Sequence, residues 1–203
     1  MILEMQNKEI MAKARESLSG RWGLAISAAL LYGFFIGGIQ IIPIVGGLIS
    51  LLIAGAMTLG YNTFTLALAR GEVVKIATVF EGFNRFGTAL AAYLLTVIFT
   101  LLWMLLLIIP GIIAAYSYSM TFYILAEDKS ISALEAIKKS KQMMIGNKWK
   151  LLCLSFRFFG WVLLSILTLG IGFIWVAPYM SISFATFYDD IKKNQVSENS
   201  INN

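Results

Sequence analysis

Histidine is absent from this 203-residue chain, and cysteine occurs once, at Cys153. The first absence removes the usual general base and the commonest nitrogen ligand for metals. The second removes thiolate metal clusters, intrachain redox pairs and any disulfide framework for an extracellular domain. Charge is scarce too: 13% of residues carry it, against about a quarter in soluble globular domains. No Asp or Glu falls inside the long apolar stretches, so an intramembrane aspartyl protease has no acids to work with. The glycines lie in apolar surroundings without the Lys and Ser/Thr that follow a phosphate-binding loop, which argues against ATP hydrolysis. Residues 1–20 alternate charged and apolar positions and lack the apolar core of a removable signal.

What is present is apolar: 59% of the residues are hydrophobic. Trp22 to Ala69 and Phe86 to Ala126 contain no charge, and Leu151 to Tyr188 is interrupted only by Arg157. A spanning helix needs about 20 residues, so each block has the length of two crossings. Helix-breaking residues sit near each middle: Gly37-Gly38 through Pro43 to Gly46-Gly47, then Pro110-Gly111, then Gly170-Ile171-Gly172. The expectation is an all-α, polytopic membrane bundle of three hairpins. It has six spans, or five and a re-entrant helix if the short arm Gly111 to Ala126 does not cross. A single membrane domain covers residues 1–191, in units of roughly 1–69, 70–126 and 127–191, and 192–203 is a polar tail.

Charge placement orients the bundle. The segments up to Arg21, from Arg70 to Arg85, from Glu127 to Lys150 and after Tyr188 hold four, three, six and two Lys or Arg, and the expected turns hold none. Hairpins put all four segments on one side, which the positive-inside rule makes cytoplasmic together with both termini. The net charge of +5 flanks the apolar blocks instead of forming a polar surface. It therefore points to topology and anionic lipid headgroups, not to nucleic acid.

The units also look alike. Gly20-Arg21-Trp22, Asn84-Arg85-Phe86 and Asn147-Lys148-Trp149 open the blocks, and motifs beginning Tyr61, Tyr118 and Tyr179 close them shortly before Arg70, Glu127 and Asp189. Each block follows an apolar stripe at helical spacing: Ile10, Ala14 and Leu18; Val73, Ile76, Phe80 and Phe83; Leu134, Ile137 and Met144. These predict amphipathic helices at the cytoplasmic interface and a three-fold internal repeat.

Candidate functional residues are few. Arg157 is the one ionisable residue within a block, seven residues past Lys150. It either snorkels to the headgroups or binds an anion or lipid headgroup. Tyr61, Asn62, Tyr118 and Tyr179 either line a shared inner cavity or act as polar glue between helices. Trp22 and Trp149 read as interface anchors. Glu127-Asp128 and Asp189-Asp190 read as solvated boundary charges. No cofactor or metal is expected.

Leu107-Ile108-Ile109-Pro110-Gly111, Tyr118-Ser119-Met120, Ala126-Glu127-Asp128, Gly146-Asn147-Lys148-Trp149, Pro178-Tyr179 and Phe187-Tyr188-Asp189-Asp190 together resemble a bacterial integral membrane family known as domain of unknown function 975. The resemblance runs over nearly the whole chain. More distantly, the chain is similar to the membrane domain of some glycerophosphodiester phosphodiesterases, whose catalytic barrel it lacks. The resemblance implies a bacterial cytoplasmic membrane and a non-catalytic bundle. The function expected is that of a non-enzymatic membrane module acting through lipid or membrane protein partners, of an envelope-stress or immunity type. The alternative is a small permease or lipid-handling protein with a Tyr-lined cavity.

Overall fold

Helix formation accounts for every regular element among the described residues. The computed structural model describes residues 5–38 and 45–201. Its helices are α1 (Asn7–Leu18), α2 (Trp22–Gly37), α3 (Val45–Ala69), a 3-10 helix (Ile76–Arg85), α4 (Phe86–Leu106), α5 (Ile108–Tyr118), α6 (Thr121–Glu127), α7 (Ala133–Met143), α8 (Lys148–Leu167) and α9 (Phe173–Ile201). α9 carries the chain into the expected tail as continuous helix as far as Ile201. Pro43, placed in the first turn by the sequence, lies outside the described residues.

By length and composition, four helical stretches can cross a membrane: Ile49–Ala69, Ile76–Leu106, Ile108–Glu127 and Lys148–Leu167. A fifth follows if α1 and α2, bent by 101° at the break between them, count as one. The arm expected to be short, Gly111 to Ala126, lies within the candidate span Ile108–Glu127, which is longer because its helix starts before Pro110. Instead α2, at 16 residues, is short on its own, and Tyr179, Ser181, Ser183 and Thr186 dilute the apolar part of α9.

Two turns refine the expected positions. In the second block the helix breaks at Leu107, which is extended, with φ −162° and ψ 144°. Pro110 sits in the first turn of α5, where its missing N–H has no intrahelical partner to lose. Gly111 serves packing, because a Cβ there would run into Met104 of α4. The third reversal falls at Gly170, as expected, with φ +90°. Between α5 and α6 the helix breaks at Ser119-Met120, and α7 repairs the break. Ser140 is fully buried, donates to Ser117 O at 2.9 Å and accepts from Met120 N at 3.2 Å.

Of the three apolar stripes, Ile10, Ala14 and Leu18 of the first are completely buried. On α7, Ile137 and the adjoining Met144 are buried but Leu134 is exposed, and Ala133, Ala136 and Met143 complete the inner face. The second stripe differs most. Val73 is exposed in an extended link, and Ile76 to Arg85 winds as a 3-10 helix that buries Val79 and Gly82. At three residues per turn, Phe80, Phe83 and Phe86 fall in line on its outer side, with ring centroids 6.4 and 6.3 Å apart.

The inner side of the 3-10 helix lies directly on α3. A Cβ on Gly60 would meet the carbonyl of Val79, and one on Gly82 would meet the carbonyl of Ala56. Small residues at these crossings let two backbones touch.

The helices follow one packing order. α1 and α2 rest on α9; the 3-10 helix and α4 rest on α3; α7 rests on α5 and α6, and α8 on α5. The 3-10 helix, α4, α7 and α8 thus each lie against a helix that precedes them in the chain, and α1 and α2 lie against α9. α3 also touches α6 and α9 at the centre.

α7 starts on a complete capping box: Glu135 N donates to Ser132 Oγ, and Ser132 N donates to Glu135 Oε2 at 3.0 Å. The Ser132 hydroxyl and N–H hold the Glu135 carboxyl below its ordinary pKa. Ser132→Ala is expected to cost about 1 kcal/mol, read by thermal unfolding in detergent. Because the folded pKa is depressed, the cap's contribution is present at neutral pH and fades as the pH falls through the carboxylate range.

Candidate functional site

The ends of α3 and α6 meet the middle of α9 at the base of the bundle. Arg70, one residue past α3, places Nη2 2.6 Å from Glu127 Oε1 at the end of α6 and 2.7 Å from Asp189 Oδ1 on α9. Its Nε donates to both Asp189 oxygens at 3.2 Å. Tyr188 Oη donates to Glu127 Oε2 at 2.8 Å, and Lys192 pairs with the same oxygen. Bonding to Asp189, and then to Glu127, raises the Arg70 pKa further above its ordinary value despite partial burial. Asp190 pairs separately with Lys150 at 2.8 Å. The charges that close the three apolar blocks are therefore one ionic knot, not separate solvated ends.

The basic residues that open the blocks also act at this base. Arg21 donates to Glu72 O, just beyond α3, at 3.0 Å. Arg85 donates to Leu125 O, Asp128 O and Ile131 O at 3.0, 3.1 and 2.8 Å. Both tie the foot of a hairpin together by satisfying carbonyls at or beyond a helix C-terminus.

Hydroxyl groups continue upward from the knot. Tyr188 stacks on Tyr123 at 5.5 Å between centroids, and Tyr123 Oη donates to Ser181 O at 3.3 Å. Tyr61 Oη donates to Ser181 Oγ at 3.2 Å and its ring stacks on Tyr32 at 4.6 Å. These contacts fill the centre. Among the described residues, no three His, Cys, Asp or Glu converge as metal ligands.

A groove of another kind lies outside this core. α1 runs beside the α8–α9 hairpin: Asn7 Nδ2 donates to Lys150 O at 3.0 Å, and further along Tyr179 Oη donates to Met11 O at 3.1 Å. Between them is a space of about 610 Å³ lined by Lys8, Arg15, Glu16, Arg157 and Tyr179. It adjoins a second space of about 230 Å³ lined by Trp22, Trp161, Trp175 and Val176; Met11, Arg15 and Tyr179 border both.

The family model described as a protein of unknown function, DUF975, matches residues 1–117 and 104–195. The chain belongs to this family. No curated protein and no solved structure matches this DUF975 chain.

Within this member of DUF975, the residues singled out from sequence do not converge. Tyr118 packs with Ala114, Ile137 and Phe99. Asn62 Nδ2 bonds back to Thr58 O at 2.8 Å. Tyr61 belongs to the central hydroxyl chain, whereas Tyr179 and Arg157 border the outer groove. Trp22 is half-buried in the aromatic space, and Trp149 is 73% exposed at the start of α8. Sequence reasoning missed Lys8, Arg15, Trp161 and Trp175. The one available signal was that Trp161 and Trp175 lie on opposite sides of the Gly170 turn, so a hairpin brings them together.

Proposed function

We propose that this is a non-enzymatic, multi-pass protein of a bacterial cytoplasmic membrane, with both termini cytoplasmic, which acts by holding lipid or a membrane protein partner. The observation that carries the reading is the separation of surfaces along the hairpins. Arg70, Glu127, Asp189, Asp190 and Lys150 gather at the feet. The opposite tips expose Leu105, Leu106, Leu107, Ile108 and Ile109, and Leu167 and Leu169, to between 65% and 95%. Apolar tips of this size need a membrane or a partner to cover them. The three units are read as copies of one hairpin, a reading supported by their cyclic packing and by the shared role of Arg21 and Arg85. On this reading α2 and α9 complete the first and third crossings, and the role is of an envelope-stress or immunity type.

A permease with a Tyr-lined cavity has less support. Tyr61 and Tyr118 are at least 91% buried among packed neighbours, and a space of about 210 Å³ beside Tyr116, Ser119, Tyr123 and Ser155 is lined by neither of them nor by Tyr179.

Single cysteines in a Cys153→Ser background test the topology. At Leu107 and Leu169 they are expected to react with a membrane-impermeant maleimide in intact cells, and at Lys75 and Lys138 only after the membrane is opened. External labelling at Lys138 overturns the three-hairpin reading. Deletion is expected to alter sensitivity to membrane-active peptides; unchanged sensitivity, with no lipid or protein co-purifying, removes the partner-binding role.

A further inference from the structure

We infer that the paired spaces between α1 and the α8–α9 hairpin form a binding site for one glycerophospholipid with an anionic headgroup. The inference rests on the membrane reading above and names its ligand. The lower space carries three cations, Lys8, Arg15 and Arg157, against one carboxylate, Glu16. None of the three makes an ion pair with another described residue, unlike Arg70 and Lys192 at the base. A guanidinium recognises a phosphate through paired N–H donors, and two of them facing one groove favour an anion over a zwitterion. Tyr179 stands at the boundary, bordering both spaces.

The upper space supplies the matching half. Trp22, Trp161, Trp175 and Val176 offer an apolar wall, with Trp161 and Trp175 about half exposed. Tryptophan rings favour the depth at which headgroup gives way to acyl chain. Phosphate on Arg15 and Arg157 with glycerol and acyl chain along the tryptophans fits both chemistries at once. It also accounts for a charged residue seven positions into an apolar block: α1 brings its polar face alongside, so Arg157 opens onto a charged groove. A free phosphate would use only the lower space.

The probe is full-length protein in nanodiscs, with quenching of single-Trp variants by brominated acyl chains. A variant retaining only Trp161 is expected to be quenched at about tenfold lower fraction of brominated phosphatidylglycerol than of brominated phosphatidylcholine, the size of losing one or two charge-assisted hydrogen bonds. Arg15→Gln with Arg157→Gln removes the preference, Arg157→Lys keeps most of it, and Lys139→Gln on α7 leaves it intact. Glycerol 3-phosphate in solution is expected not to compete; competition at concentrations near those of the lipid overturns the lipid assignment in favour of a free phosphate site. Equal quenching by both lipids, or a preference that survives the double substitution, overturns the site. A variant retaining only Trp103, on the exposed face of α4, separates the two readings. Quenching there by both lipids upholds membrane residence even if the site fails, and no quenching by either removes the membrane reading itself.

Discussion

Gly82→Ala lowers the thermal midpoint of the purified protein by about 6–12 °C. The figure follows from about 3 kcal/mol for overpacking at a contact that cannot relax, at about 2–4 °C per kcal/mol for a chain of this size. The added carbon meets the main chain of Ala56, and Gly60 faces the carbonyl of Val79 in the same seam, so no side chain can swing aside. The whole 3-10 helix must lift from α3, carrying the Phe80, Phe83 and Phe86 ladder and its edge contact with Phe35 of α2. Gly60→Ala is expected to match it. Gly160→Ala in α8 is the control: nothing lies within 4 Å of the new carbon, and replacing glycine inside a helix gains about 0.5–1 kcal/mol. Equal midpoints for Gly82→Ala and the parent contradict the backbone contact described here.

Arg70→Ala is expected to cost about 2 kcal/mol, between the 0–1 of exposed pairs and the 3–5 of fully buried ones. Side-chain exposures of 31%, 24% and 18% for Arg70, Glu127 and Asp189 place the knot between those limits. The loss is more than one attraction: Glu127, held by Lys192 and Tyr188, and Asp189 are left facing each other without the guanidinium between them. Arg70→Lys recovers part, since one ammonium cannot replace a fork that reaches both carboxylates. Adding Asp189→Asn to Arg70→Ala also recovers part by removing the repulsion. Thermal unfolding of the set, at low and high salt, checks the order; a double variant less stable than Arg70→Ala refutes the repulsion.

The two substitutions mark what was and was not legible in the sequence. Ile10, Ala14 and Leu18 announced the buried face of α1 because a 3.6-residue period is a local property. Ile76 to Arg85 did not announce itself, because its Phe spacing fits either period. What selects the tighter winding is contact with α3 through two glycines 22 positions apart. Gly111 misled for a related reason: beside Pro110 it looks like a turn, yet it is spared a side chain so that Met104 can approach. Arg70, Glu127 and Asp189 were each visible as the charge closing a block, but their meeting depends on how α3, α6 and α9 lie against one another. Arg157 stood out as a lone charge, while the groove it borders is created by α1, whose position no local pattern encodes.

The circular order of packing bears on how the chain matures. Synthesis proceeds from one end, so α3 is covered as soon as the 3-10 helix and α4 appear, and α5 and α6 as soon as α7 and α8 do. The principal seat of α1 is α9, the last of the described helices in chain order, whereas α2 packs on both α3 and α9. Until then the face of Ile10, Ala14 and Leu18 has no full cover. α1 is thus locked only once α9 is in place, and its docking closes the ring.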